Sequence, residues 1–185
     1  AIGEGPGDAD FTMQGGALTA AGLHREIGIA RPFAYGIQQI NISVAELEGF
    51  TFNIRACNLR LKDGTRLIAP HNGEFQPRSF KKELDAAGGV LDVYIGLPLL
   101  MEREPNTLLL SEESSIYHRR YKAVVSEVVD ENTGSNGQAI EFRKYSPRIF
   151  FRGEDTTGYE TLQIARIERS GFEENKPILS RNFIP

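Results

Sequence analysis

Few side chains in this sequence have the types and spacing that chemistry requires. Its three histidines, His24, His71 and His118, stand alone: none has a second His or Cys three or four residues away, the local spacing that holds zinc. The single cysteine, Cys57, lies in an alternating apolar run with no histidine beside it, and reads as a buried structural thiol. Adjacent acidic residues include the pairs Glu112-Glu113 and Asp130-Glu131. Glycoside hydrolysis needs two carboxylates facing each other across a substrate, and adjacency in sequence does not create that geometry. Both pairs read as solvated loop charge, and a hydrolase built on Glu112, Glu113 or Asp130 is the weakest functional reading. There is no G-x-S-x-G elbow, Walker-type loop or G-x-G-x-x-G fingerprint. Gly3-Glu4-Gly5-Pro6-Gly7 lies in a Gly/Pro/Asp-rich lead and not between a strand and a helix. The expectation is therefore no catalytic, cofactor or metal residue, and not an enzyme.

One cluster stands out. His118-Arg119-Arg120 lies between Tyr117 and Tyr121, and arginines interleaved with aromatics either bind single-stranded nucleic acid or anchor a protein interface. The chain carries 21 basic against 25 acidic residues, a net charge of −4, which disfavours a partner recognised through its phosphates. Strand-edge pairing or a protein interface is the preferred reading.

The elements that must position these residues read mainly as strands. Residues 1–22 form a flexible lead, and a short helix is expected over 19–29 with Thr19 as its cap. Ile40, Ile42 and Val44 alternate, Glu48-Gly49 reads as a turn, and Phe50, Phe52, Ile54 and Ala56 alternate again: a hairpin of two half-buried strands. After Ala56 the apolar phase slips to Cys57, Leu59 and Leu61, as a β-bulge produces. Lys62-Asp63-Gly64-Thr65 predicts a type I′ turn, and Leu67 to Ala69 a short strand ended by Pro70. Ser79 is placed as the cap of a helix over Phe80 to Ala87, closed by Gly88-Gly89. Val90 to Leu97 is apolar nearly throughout and predicts a strand buried on both faces. A partly acidic connection over 99–116 precedes strands at Tyr117 to Val129, Ala139 to Tyr145 and Arg148 to Phe151.

The last segment, GYETLQIARIERS, changes phase midway, from Leu162 and Ile164 to Ala165 and Ile167. It is read as a bulged strand, with a helix as its rival because Tyr159, Leu162 and Ala165 are three apart. Many short strands with Gly/Pro punctuation predict an antiparallel β-sandwich or barrel with one or two short helices. At 185 residues the chain suits one domain, read as 1–22 lead and 23–185 β-sandwich. No apolar run approaches a membrane span, no signal peptide is visible, and a lone cysteine suits a reducing compartment. A cytoplasmic protein is expected, without nucleic-acid partners or membrane insertion.

The order of these pieces resembles a known family. RPFAYGIQQINIS (31–43), ACNLRLKDGTRLIAP (56–70), DVYIGLP (92–98), RRYKAVVSEVVDEN (119–132), GYETLQIARIERS (158–170) and the terminal NFIP are similar to the TssK (ImpJ/VasE) baseplate family of bacterial type VI secretion systems. The family's Pro-Gln-His-Phe-Gln-type entry motif is not recognisable in Phe11 to Gly22. The resemblance implies a β-sandwich shoulder like that of phage receptor-binding proteins, followed in the family by a helical neck and a head, with the chain end at Phe183-Ile184-Pro185 falling at the shoulder–neck junction. It also implies a structural, non-enzymatic role: a homotrimer whose shoulder docks on baseplate wedge proteins and whose head reaches the membrane complex. The alternative is a phage-like receptor-binding or carbohydrate-binding β-sandwich module. Residue chemistry, not the resemblance, places the partner contacts: Arg31, Pro32, Phe33 and Tyr35 put an arginine and two aromatics at the entry to the first strand. Without a neck, this chain alone is expected to be monomeric or weakly associating.

Overall fold

The computed structural model of the chain describes residues 35–112, 118–170, 176–181 and 183. The expected helix over 19–29, the lead and the residues Arg31, Pro32 and Phe33 lie outside them.

Two antiparallel sheets share one core, so the sandwich expectation holds. The first sheet orders β1 (Gly36–Ile42), β3 (Ile54–Arg60) and β4 (Arg66–Ala69) as β1-β3-β4. The second orders β10 (Arg148–Phe151), β6 (Val90–Pro98), β11 (Tyr159–Arg169) and β12 (Pro177–Leu179) as β10-β6-β11-β12. Cys57, Leu59, Leu67 and Ala69 of the first sheet join one buried cluster with Leu91, Val93, Ile95, Leu97, Ile149, Phe151, Ile164, Ala165 and Ile167 of the second. Burying each large aliphatic or aromatic side chain is worth about 1.5–3 kcal/mol, which is why both sheets keep their apolar face inward. A two-stranded ladder, β2 (Thr51–Phe52) with β5 (Arg78–Ser79), adds Phe52 to the core. Its Arg78 donates two bonds to Glu154, at 2.7 and 2.9 Å, and one to the Ile149 carbonyl at 2.6 Å.

Both phase slips are bulges. In the β1–β3 ladder Asn41 faces Ala56 but Ile42 faces Ile54, so Arg55 is the unopposed residue, exposed, and the buried phase passes from Ile54 to Cys57 and Leu59. In the β11–β6 ladder Gln163 faces Tyr94 and Ala165 faces Val93, leaving Ile164 without a partner. Ile164 and Ala165 are both buried, so a strand, and not the rival helix, accounts for the change of face in GYETLQIARIERS. The extra residue keeps Ile167 on the core while Arg166 stays outside, opposite Asp92.

Three local expectations are corrected. β1 and β3 do pair, but their link is a short helix, α1 (Val44–Glu48), and not a turn at Glu48-Gly49 with Val44 inside a strand. Val44 is exposed, and the helix instead buries Leu47 and carries Glu46, whose carboxylate accepts from Asn53 Nδ2 at 2.9 Å. Alternation of Ile40, Ile42 and Val44 runs past the true end of the strand because a β-branched residue fits an exposed first helical turn as well. The Asp63-Gly64 turn is not type I′: only Gly64 has positive φ (86°), the Gly64 amide bonds the Leu61 carbonyl, and the Leu61 amide bonds that of Thr65. That pattern is a type I turn closed by one left-handed glycine, the three-residue hairpin loop. Finally, Ser79 does not cap the helix α2 (Lys81–Ala86); Ser79 belongs to β5, the cap position is Phe80, and no side chain bonds there. Phe80 is fully buried, so packing, and not capping, positions this helix. Gly88 and Gly89 close it with positive φ, as expected.

The third sheet, β7-β8-β9, stands apart from the sandwich core. β8 (Tyr121–Val128) and β9 (Gln138–Tyr145) form a long antiparallel arm, with β7 (Thr107–Leu108) paired in parallel at its base. Of the sixteen arm strand residues only Ala123 is buried. Among the described residues no helix is long and apolar enough to cross a membrane.

Candidate functional site

The chemically capable residues do not converge. Cys57 is buried in the sandwich, and burial pushes its thiol pKa up, which suits an inert side chain. Glu112 accepts from Arg119 Nη1 at 2.9 Å and from the Leu109 amide at 2.9 Å, so it staples the connection before β8. Asp130 sits in the loop at the far end of the arm, where the Asn132 amide holds its carboxyl low. His71 and His118 are exposed, and desolvation beside Arg148 lowers the His118 pKa. His24, Glu113 and Tyr117 lie outside the described residues. Among the described residues, no three His, Cys, Asp or Glu side chains gather closely enough to hold a metal. Tyr35, at the entry to β1, is 41% exposed, with Lys62 Nζ 5.7 Å from its ring centre.

The basic cluster before β8 is turned into the protein. Arg120, only 5% exposed, donates from Nη1 to the Pro98 carbonyl (2.8 Å) and from Nη2 to Asp63 Oδ2 (2.7 Å) and Thr65 Oγ1 (2.6 Å). Its guanidinium also lies 5.8 Å from the centre of the Tyr145 ring, on which Tyr121 stacks at 5.2 Å. Asp63 is partly desolvated, which raises its pKa, but the Thr65 amide and the Arg120 charge outweigh this and leave it below the ordinary carboxylate range. Arg119 donates to the Thr107 carbonyl at 2.8 Å. These bonds join the β3–β4 turn, the end of β6 and both arm strands at one point. The cluster is a joint between arm and sandwich. Strand-edge pairing describes it in part, through β7 and β8; an arginine offered to a partner does not describe Arg120. Sequence reading missed this because the partners of Arg120 lie 55 and 57 residues away.

Three surfaces remain for partners. On one face of the arm Val124, Val128, Ile140 and Phe142 line up by alternation, with Phe142 45% exposed and paired opposite Val124. The connection after β6 exposes Leu99, Leu100, Met101, Leu109 and Leu110, and Asn106 braces it by exchanging side-chain bonds with the Met101 backbone at 2.7 and 2.8 Å. The outer face of the four-stranded sheet carries Arg148, Tyr94, Gln163, Arg166 and the buried carboxylate of Asp92, with Phe150 buried against Arg148 and Tyr159. Exposed apolar groups of this size on a folded chain mark sites of assembly more often than of catalysis.

Comparison with known proteins gives the fold's relatives and the family. A search of curated proteins finds no match. Among solved structures, the fold is similar to a chain in the cryo-electron-microscopy structure of the type VI secretion system TssK–TssF–TssG baseplate subcomplex, with TM-score 0.78 and 16% identity over 100% of this chain and 60% of that one. It is similar to a chain of the baseplate complex from the type VI secretion system (TM-score 0.75, 16% identity, 91% of this chain and 53% of that one). It is also similar to a crystal structure of TssK (TM-score 0.69, 20% identity, 97% and 40%). The chain thus spans about half the length of the solved chains it matches. The family model for bacterial type VI secretion, VC_A0110, EvfL, ImpJ, VasE, matches residues 17–185. The chain belongs to this ImpJ/VasE family of bacterial type VI secretion proteins.

Proposed function

We propose that this chain is the wedge-docking shoulder of a structural type VI baseplate adaptor, with residues 23–185 as the sandwich domain. The observation that carries the reading is the fold match over the whole chain to a component of a TssK–TssF–TssG baseplate subcomplex. The architecture supports it: a rigid sandwich carries a projecting arm and exposed apolar surface, while its buried charges bond one another. On this reading the partners are baseplate wedge proteins. The full-length protein is a cytoplasmic homotrimer, and parts of the family fold beyond this chain reach the membrane complex. Arg31, Pro32, Phe33 and Tyr35 remain the proposed anchors at the entry to β1, with the exposure of Tyr35 in favour of that role.

Co-expression with TssF and TssG from the same system, followed by affinity purification of the wedge, tests the reading. The chain is expected in the purified complex at fixed stoichiometry, and its absence would overturn the docking role. Binding to a glycan array in place of the wedge would favour the receptor-binding alternative. Tyr35→Asp is expected to weaken co-purification and leave the thermal transition unchanged; an unfolded variant would mean that the side chain serves the fold.

A further inference from the structure

We propose that the outer face of the four-stranded sheet is a cationic docking surface for an extended acidic segment of a partner protein, gripped by Arg152, Arg166 and Arg148. The proposal deepens the docking role above and rests on it for the partner's identity.

The face is built by register. Ile149 and Phe151 point into the core, so Arg148 and Phe150 point outward, and the Arg152 amide continues the row by donating to the Asp92 carbonyl at 3.0 Å. The Ile164 bulge places Arg166 opposite Asp92 on the same face. The buried Asp92 carboxylate accepts from Arg166 Nε at 2.6 Å and Gln163 Nε2 at 3.0 Å, and Arg152 Nη1 lies 3.6 Å away. One carboxylate thus positions two guanidiniums, and Arg152 stays 71% exposed with its planar fork open to a second carboxylate. Gly96 lets the face lie flat: a Cβ there would come within 2.5 Å of the Phe150 ring, which packs edge-on against Tyr159 at 4.8 Å. Arg148 completes the triangle by donating to Tyr159 Oη at 3.1 Å.

Charge and spacing select the occupant. On this face Arg148, Arg152 and Arg166 oppose Asp92 and Glu168, 3 − 2 = +1, on a chain whose total is −4. A polyanion such as nucleic acid meets that overall repulsion, whereas a few spaced carboxylates meet only the local arginines. Arg148 and Arg152 are four strand residues apart, ~13 Å, and Arg152 and Arg166 two strand spacings apart, ~10 Å. An extended segment running along β10 with acidic residues at alternate positions sets two carboxylates four residues apart over Arg148 and Arg152, and Arg166 lies beside Arg152 across the sheet. Because Asp92 holds the Arg166 guanidinium and Tyr159 that of Arg148, less side-chain order remains to be lost at these two on binding.

The test uses the purified chain and a fluorescein-labelled peptide of alternating glutamate and leucine, on the order of ten residues. Anisotropy titration is expected to show saturable binding that weakens with salt. Arg152→Glu should lower affinity at least about tenfold, and Arg152→Lys by less, since it keeps the charge and loses the fork. Lys82→Glu, at an exposed position on α2, should bind like the wild type. No binding by the wild type, equal binding by Arg152→Glu, or tighter binding of an oligothymidylate than of the peptide would each overturn the proposal. In the wedge co-purification, a wild-type chain that is retained and an Arg152→Glu chain that is lost tie the surface to the baseplate. If both are retained, the docking role stands and this inference fails; if neither is retained, the docking role falls and the peptide titration alone decides the inference.

Discussion

In the sandwich, Leu91, Val93, Ile95 and Leu97 of β6 are all buried against the opposite sheet, whereas in the β8–β9 arm only Ala123 is buried. Both regions follow the same period of two, and both are bounded by Gly-rich loops. They differ in what stands opposite: the sandwich supplies its own second layer, and the arm leaves Val124, Val128, Ile140 and Phe142 without one among the described residues. A lone two-stranded ribbon is marginal in water, so the arm depends on its base. There Lys122 and Lys144 bracket Glu74 at 3.7 and 3.2 Å, and Arg120 binds the sandwich. The sandwich holds nearly all of the buried core, while the arm adds exposed apolar surface with almost no core of its own.

Substitutions can break that division or sharpen it. The largest effect is expected from Arg120→Leu, which leaves Asp63 partly buried and unpaired at the joint and costs about 3–5 kcal/mol; urea unfolding checks it, and a loss under about 1 kcal/mol would mean that arm and sandwich are uncoupled. Gly96→Ala should cost about 1–3 kcal/mol by forcing Phe150 off its packed position, read from the thermal midpoint. Gly64→Val should cost about 1–2 kcal/mol, because Gly64 holds a φ of 86°, and an unchanged midpoint would sink the turn assignment.

The pH dependence carries two opposite signs. Glu154, held by Arg78, and Asp63 are both depressed in the fold; their stabilisation is complete above their unfolded values, near 4, and is lost as pH falls through their lower folded values. Glu160 is raised, by burial and then by Asp63, so it destabilises the fold when ionised and that cost is relieved as pH falls through its folded value, above about 4.3. Denaturant unfolding across a pH series should therefore show stability dropping below about pH 4, and the difference between wild type and Glu160→Gln should shrink as mild acidification protonates Glu160. The smallest effect is expected from Phe142→Ser on the exposed arm, within about 0.5 kcal/mol for global unfolding. A larger change would show that the arm unfolds together with the sandwich.

How much of this was legible in the sequence depends on how far each interaction reaches. The slips at Ile54 to Cys57 and at Ile164-Ala165 were readable because a bulge displaces neighbours along the same strand. The buried strand over Val90–Pro98 was readable because its apolar run is continuous. The helix α1 was not, since five residues hold too few turns for a helical period to rise above alternation. The role of Arg120 was not, and neither was that of Arg78, whose partner Glu154 lies 76 residues on. Beside Arg119 and His118, Arg120 has the local composition of an exposed basic patch; only the meeting of three distant segments removes it from solvent. Of the residues proposed from sequence as partner contacts, Tyr35 alone falls among those described, and the outer-face arginines carried no local signal at all.

The joint at Arg120 also has a mechanical meaning. Tension applied at the tip of the arm runs down β8 and β9 to Arg120 and Tyr145. The Arg120 bonds to Pro98, Asp63 and Thr65 diverge onto the end of β6 and the β3–β4 turn, so they share the strain side by side. The ladder between β8 and β9, by contrast, opens one pair at a time when its ends are pulled apart. Because the loop over 129–137 joins β8 and β9 at the tip, a pull there does not peel the ladder but loads the joint, and through the Pro98 bond it reaches β6, an inner strand of the four-stranded sheet.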